Sequence, residues 1–399
     1  MKTLNDWLRW QEDNHPQSID LGLERVGEVW QRLGAPRLAQ HTIIVAGTNG
    51  KGSCVRWAEE ICRAHGVSVA SFTSPHLLNY RERIRFNNEM VGEEALIVAF
   101  NLIDQLRGQI SLTYFEWSAL AGLHLIAKRY PEVAVIEVGL GGRLDATNLI
   151  DADMAILTRI GLDHQPWLGN TIEAIAREKA GVLREGQRVF FADSNPPRVL
   201  LERAEALHCE IYRRDPNDIS YFPPPRFMHG QHQYGHLGAV CGALGFCFDL
   251  NSEALHQAIK VTKNEGRLMR EVCHGQNFLF DVAHNEDSAA VLAEYLSTVP
   301  ERHITAVCGI LNDKDQQAIF RQLKPWVRRW LLVPLDSPRS TPLAQLRENA
   351  LQAGIPSSAI QVRDSIAKAL IERDELLLVT GSFVTVSAAL QLLRPPLNE

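Results

Sequence analysis

The stretch HTIIVAGTNGKGSCVRWAEEICRAHG, residues 41–66, decides the fold. Its apolar run TIIVA (42–46) reads as a short buried strand and passes into Gly47-Thr48-Asn49-Gly50-Lys51-Gly52-Ser53. Beyond the glycines, Cys54, Val55, Ala58, Ile61 and Cys62 recur at helical spacing until Gly66 ends the pattern. A strand, a Gly-rich turn and a helix N-terminus form the setting in which backbone N–H groups gather around phosphate. The usual phosphate loop is spaced G-x-x-x-x-G-K-[ST]. Here Val45 stands where the first glycine belongs, and Gly52 separates Lys51 from the Ser53 hydroxyl. On this stretch alone, a degenerate nucleotide loop, a chance Gly-rich turn and a different phosphate binder all stay open.

Working outward, strand-like runs alternate with helix-period segments. VSVASF (67–72), EVAVIEVG (132–139), DMAILT (153–158) and RVFFADS (188–194) read as strands. Asn170, with Glu173 three residues on, predicts a capping box for the helix TIEAIAREKAGVLR (171–184). Residues 213–236 are rich in Pro, Tyr, Phe and His and read as irregular, leading into a helix LGAVCGALGF (237–246). A new series follows: NFLFDVA (277–283), ITAVCGI (304–310), RWLLVP (329–334), AIQV (359–362) and ELLLVTG (375–381), with helices after 286, 313, 341, 364 and 382. Five strands alternating with helices predict a compact parallel α/β domain. The expected division is 1–262, a linker 263–276 containing Gly266-Arg267, and 277–399.

The 399 residues suffice for two or three domains, and 45% apolar with 22% charged residues is ordinary for a soluble globular chain. A formal charge of −6 without a basic run argues against a nucleic-acid binder. The seven cysteines form no C-x-x-C pair and no zinc spacing, which fits reduced thiols. MKTLNDWLRWQEDNHPQ lacks an apolar signal core, and no apolar run reaches the ~20 residues of a membrane span. A cytoplasmic protein with no membrane partner is the expectation.

Several strand ends carry polar residues suited to phosphate or metal chemistry. Glu137 in EVGLGGRLDATN (137–148) can hold Mg²⁺ against phosphate oxygens, or be a solvated loop carboxylate. Asp163 and His164 follow the next strand, Lys179 lies near a helix end, and Ser74 and His76 sit in TSPHLLNYRERI (73–84). Asp281, His284 and Asn285 end the first strand of the later series, followed by GILNDKD (309–315) and GSFVTV (381–386). Each, taken alone, is equally an ordinary loop.

Taken in order, VAGTNGKGS, TSPHL, LTYFE, EVGLGGRLDATN, LDHxxxLG, REKAG, EGR and DVAHN resemble the folate branch of the Mur ligase superfamily, from residue 18 to 386. In that family G-T-N-G-K-G-[ST] is the ATP loop. The resemblance implies an N-terminal P-loop ATPase domain with a parallel sheet and a smaller Rossmann-like C-terminal α/β domain. It implies ATP-dependent addition of L-glutamate to dihydropteroate and to folate glutamate tails through an acyl phosphate, by a monomer. Carried over residue by residue, Thr48, Asn49, Gly50, Lys51, Gly52 and Ser53 bind ATP phosphates. Ser74, Glu137 and His164 are Mg²⁺ ligands, with two ions expected, and K⁺ is allowed as well. Lys179 matches a carbamylated lysine, Arg267 reaches the phosphates, and Asp281 the ribose. Lys51, Lys179, His284 and Ser382 are the catalytic set. Asp20, Leu21, Gly22, Leu23, Thr113, Tyr114, Phe115, Leu144, Asp145 and Ala146 match pterin-binding surfaces, with Phe115 as a stacking face.

Three positions depart from the pattern. His236 replaces an Asn that the family places on adenine, and an imidazole lacks the bidentate geometry of an amide. Asn264-Glu265 precede Gly266-Arg267 where Trp or Pro is common, and Glu286 follows AHN where Pro is usual.

Overall fold

The computed structural model describes residues 2–13, 15, 19–213, 222–223 and 225–394. The chain divides into two compact units. The first comprises residues 1–161, 165–226 and 231–262; the second comprises 162–164, 227–230 and 263–399.

The first unit is built on an eight-stranded sheet: β1 (His41–Ala46), β2 (Val69–Phe72), β3 (Ile84–Phe86), β4 (Glu89–Met90), β5 (Val133–Glu137), β6 (Met154–Leu157), β7 (Arg188–Phe191) and β8 (Glu210–Arg213). Their order is β4-β3-β2-β5-β1-β6-β7-β8. From β2 to β8 every pairing is parallel, and β3 and β4 add an antiparallel edge. β1, β5 and β6 are buried along nearly their whole length, as strands covered on both faces must be. One face packs Trp30, Phe72, Phe100, Trp117 and Ile136 into a core, and the other packs Ile44, Leu157, Ile175 and Val189. The order brings the carboxyl ends of β2, β5, β1 and β6 side by side, the edge at which open parallel sheets hold ligands.

The second unit carries β9 (Met269–Cys273), β10 (Gln276–Asp281), β11 (Ile304–Cys308), β12 (Arg329–Leu332), β13 (Ile360–Val362) and β14 (Leu376–Thr380), ordered β13-β12-β11-β14-β10-β9. All pairings are parallel except β9 with β10. The five parallel strands are those of the sequence reading. The stretch expected as linker contributes β9 instead, because Gly275 (φ 74°) and His274 (φ 50°) turn the chain into a tight hairpin.

Two helix starts also differ from expectation. The helix Ile172–Ala180 is capped by Thr171, whose side chain accepts from Ala174 N, rather than by Asn170. The helix expected at 237 begins at His232, where Gln233 and His236 are buried on its inner face. Within the stretch read as irregular, residues 214–221 and 224 lie outside the described residues, as does Ser18 of the family-like stretch 18–26. Cys54, Cys62, Cys209, Cys241, Cys247, Cys273 and Cys308 are all free thiols. Among the described residues no helix is long and apolar enough to cross a membrane.

Candidate active site

β1 ends in the loop that starts the helix Lys51–Ala64. Gly47 (φ 149°) presses against β6 so closely that a Cβ would lie 1.8 Å from Thr158 Oγ1. Gly50 (φ 98°) is the N-cap, and no side chain caps the helix, so its first amides face the loop. Thr48 N donates to Arg159 O (2.8 Å), while the Thr48 hydroxyl exchanges hydrogen bonds with Gly161 O (3.1 Å) and Gly161 N (3.0 Å). Thr48 therefore fixes the loop to the end of β6 through both its backbone N–H and its hydroxyl. Lys51 Nζ folds back onto Gly47 O (3.2 Å) and Thr48 O (3.3 Å). Lys179 Nζ, only 5% exposed, donates to the same Gly47 carbonyl at 2.8 Å. Two ammonium groups thus converge on one oxygen at the mouth of the loop. Ser53 is buried in the first turn of the helix.

At the neighbouring strand ends, Glu137 Oε2 accepts from Ser74 N at 3.4 Å and lies 3.7 Å from a Cβ position on Gly52. Ser74, Glu137 and the phosphate loop are therefore gathered within the first unit. Among the described residues no group of three or more His, Cys, Asp and Glu is assembled as for a metal. That donor set suits Mg²⁺, which takes one or two carboxylates and completes its shell with water and phosphate.

The loop after Glu137 is latched to the helix that carries Lys179. Arg143 N donates to Glu178 O (2.8 Å), and Asn148 Nδ2 to Arg143 O and Gly181 O (both 3.1 Å). Asp145, 2% exposed, accepts from Thr147 N (2.9 Å), Thr147 Oγ1 (2.5 Å) and Leu140 N (2.7 Å). Burial pushes its carboxyl up against those donors. Asp145 thus organises the loop that presents Leu144 and Ala146.

Asp20, Thr113 and Phe115 are linked by residues the sequence reading missed. Arg25 pairs with Asp20 Oδ2 (2.5 Å) and with Glu116 Oε1 (3.0 Å). Glu116 Oε2 in turn accepts from Thr113 N (2.7 Å), closing the capping box of the helix Tyr114–Arg129. The signal for Glu116 was legible as T-x-x-E in TYFE; that for Arg25 needed the fold. Phe115 lies over Gly139, where a Cβ would sit 2.4 Å from its Cζ. Gly22 has open space around it, and Leu21 and Leu23 are half-buried.

Arg83, 7% exposed, donates from Nε to His76 Nδ1 (3.0 Å) and stands over the rings of Tyr80 (5.3 Å) and Tyr114 (5.4 Å). Burial, then the Arg83 charge, pushes the His76 imidazole down to about 4, so His76 accepts as a neutral ring. His236, 5% exposed, lies against the phosphate loop: a Cβ on Gly50 would be 2.2 Å from its Nε2. Its Nδ1 faces Gln233 Oε1 (3.4 Å), which also accepts from Trp57 Nε1 (3.2 Å). Burial, then His232, pushes His236 down to about 3.

In the second unit, Asp281 spends its oxygens on Leu268 N and Ala283 N (both 2.8 Å), and Arg267 lies 5.2 Å from the Phe383 ring. Ser382, 1% exposed, caps the helix Phe383–Leu393 by accepting from Thr385 N (3.0 Å). His284 Nδ1 lies 2.9 Å from Val282 O and its Nε2 3.3 Å from Asp163 Oδ2. Burial raises the Asp163 carboxyl, but the His284 hydrogen bond and the charges of His164, His284 and Lys314 outweigh it and hold the group well below the usual range. His164 follows in a left-handed conformation (φ 52°).

A model of the Mur ligase glutamate ligase domain matches residues 266–383. The Haemophilus influenzae dihydrofolate synthase/folylpolyglutamate synthase is 36% identical, over 96% of each chain. The Escherichia coli protein of the same name is 35% identical over 98% of this chain and 95% of its own. A solved structure of E. coli FolC in complex with DHPP and ADP superposes with a TM-score of 0.89 at 34% identity, covering 98% of this chain and 97% of that one. A bifunctional folylpolyglutamate synthase/dihydrofolate synthase solved with Mn, AMPPNP and L-glutamate bound gives 0.88 at 33% identity, covering 98% of each chain. Near-complete coverage at this identity places the whole sequence, and not one module of it, in a single lineage: the chain belongs to the dihydrofolate synthase/folylpolyglutamate synthase family of Mur ligases.

Proposed function

We propose that the chain is an ATP-dependent ligase that adds L-glutamate to dihydropteroate and to folate glutamate tails. It acts as a monomer in the cytoplasm, with ATP and a divalent metal. The observation that carries the reading is the meeting of Lys51 and Lys179 on the Gly47 carbonyl, beside an uncapped helix N-terminus and next to the strand ends holding Ser74 and Glu137. A triphosphate binder needs cations and free amides of this kind at one strand edge.

The acceptor carboxylate attacks the γ-phosphorus, the bond to the bridging oxygen breaks, and ADP leaves. The amine of glutamate, having lost a proton to solvent, then attacks the acyl carbon and releases phosphate, leaving the amide. Lys51 and the amides of Gly50, Lys51 and Gly52 orient the phosphates and offset their growing charge. By the family resemblance Glu137, Ser74 and His164 would be the residues that hold Mg²⁺, which when bound would supply further charge neutralisation. Lys179 matches the carbamylated lysine of the family and is buried at the loop; as a carbamate it would supply anionic oxygens for a second ion, and K⁺ would be an additional occupant. Phe115 gives the pterin a ring to stack on, and Asp20, Thr113 and the Leu144–Ala146 turn give it polar and apolar edges. By the same resemblance, Arg267 and Asp281 would serve the nucleotide, and His284 and Ser382 the reacting groups.

The test is incubation with ATP, Mg²⁺ and labelled glutamate, offering dihydropteroate and tetrahydrofolate in parallel. Labelled product from both is expected, with loss on adding EDTA and in Lys179→Ala. Absence of label and of orthophosphate release with either acceptor overturns the reading.

A further inference from the structure

The second unit contains a buried ionic cluster centred on Asp163, and its cation lies in GILNDKD, a motif the site has not absorbed. Lys314 Nζ donates to Asp163 Oδ1 at 2.6 Å, and the two side chains are 6% and 8% exposed. Asp163 Oδ2 accepts from Asn285 Nδ2 (3.0 Å) and faces His284 Nε2 (3.3 Å). The same carboxylate turns back on its own chain: Oδ1 accepts from His164 N at 2.8 Å. That bond closes the turn in which His164 holds a φ of 52°, a conformation costly for a residue with a Cβ. Such strain persists only where its surroundings over-determine it.

Lys314 is itself fixed. Asp313 beside it pairs with Arg339 (2.6 Å), Asn312 N donates to Arg339 O (2.9 Å), and Asp315 caps the helix Gln316–Leu323. A lysine held on both sides, buried and already satisfied by a carboxylate, is poorly placed to collect a substrate. It is well placed to hold Asp163 still.

We infer that Lys314 is a positioning residue: through Asp163 it sets the left-handed turn that presents His164, and it acts on the reaction through the metal. The inference rests on the reading of His164 as a metal ligand. Its role is separable from glutamate binding, because both Asp163 oxygens are occupied by protein donors and Lys314 is nearly sealed from solvent.

The experiment measures Mn²⁺ affinity by electron paramagnetic resonance on the full chain with a non-hydrolysable ATP analogue, alongside steady-state kinetics. Lys314→Met is expected to weaken Mn²⁺ about tenfold, the size typical of losing a residue that orients a metal ligand. It lowers kcat while KM for glutamate stays within twofold, and Lys314→Arg recovers most of the affinity. His164→Ala weakens Mn²⁺ at least as much. Because Lys314→Met takes the lysine away from a buried carboxylate, the double variant Lys314→Met/Asp163→Asn is the control. It removes both charges and keeps an amide oxygen for His164 N, so its melting temperature recovers while Mn²⁺ stays weak. Recovery of Mn²⁺ affinity together with the melting temperature overturns the inference. So does a loss confined to the KM for glutamate, or unchanged Mn²⁺ affinity in His164→Ala. If the wild-type chain ligates no glutamate, the functional reading falls, and the Mn²⁺ arm still decides this one.

Discussion

Gly142→Ala tests whether the loop after β5 and the helix bearing Lys179 act as one piece. A Cβ at residue 142 lies 2.8 Å from Glu178 O and 3.0 Å from both Cα and O of Lys179. These are backbone atoms of the last helical turn, so no side chain can swing aside, and the backbone must yield by about half an ångström. Overpacking of this kind costs about 1–3 kcal/mol. The Arg143 N–Glu178 O bond of 2.8 Å is stretched by the same movement, which adds about 1 kcal/mol. A combined loss of about 3 kcal/mol lowers the melting temperature by about 6–12 °C for a unit of this size. Moving Lys179 by the same amount lowers kcat about tenfold or more, since a misplacement near 1 Å costs about 10²-fold. The assay is thermal unfolding followed by circular dichroism, with turnover measured on the same preparations. Gly92→Ala is the control: Gly92 has a φ of −66° and nothing within 4 Å of a Cβ. If Gly142→Ala melts with the wild type and turns over normally, the coupling of this loop to Lys179 is wrong.

Thr113→Ala removes one arm of the capping box with Glu116 and is expected to cost about 1 kcal/mol, whereas Thr113→Ser keeps it; urea unfolding reads the difference. For His236 the folded pKa is lowered to about 3, so the unfolded chain binds the extra proton between about pH 6.5 and 3. The neutral ring's stabilisation is fully present above that window and is lost as pH falls through it, by at most about 1.4 kcal/mol per pH unit. His236→Gln therefore flattens the acid side of the stability–pH curve from pH 6.5 downward, and an unchanged slope refutes the assignment. Cys54, Cys62 and Cys308 have no exposed surface, and burial raises each thiol, Cys308 to about 12. A thiol reagent should label them only after denaturation, and more slowly than Cys209, Cys241, Cys247 and Cys273 in the native chain.

The parallel strands were legible because strands buried on both faces are near-continuous apolar runs, as in TIIVA and ELLLV. The phosphate loop was legible because its glycines and lysine sit between a strand and a helix. β9 was not, because MREVC alternates half-buried and exposed positions and shows as a strand only when paired with β10. The helix start at His232 was hidden by polar residues on a buried face, where Gln233 is held by Trp57 far away in sequence. Arg83 and Lys314 lie in stretches the sequence marks, TSPHLLNYRERI and GILNDKD, but nothing local says what either side chain holds, and Arg25 carries no chemical signal of its own. Each matters through a partner or a pair of rings that only the chain's return brings near, and a charged side chain in isolation reads as solvated surface.

The way Lys51 curls onto Gly47 O and Thr48 O has a thermodynamic consequence for nucleotide capture. Its ammonium is parked on neutral dipoles of its own loop, so among the described residues no carboxylate has to be evicted when a polyphosphate arrives. The exchange trades weak ion–dipole contacts for ion–ion ones in a single swing of one side chain. Association should therefore be quick and shallow in its activation barrier, with added electrolyte acting mainly on the long-range attraction between loop and nucleotide.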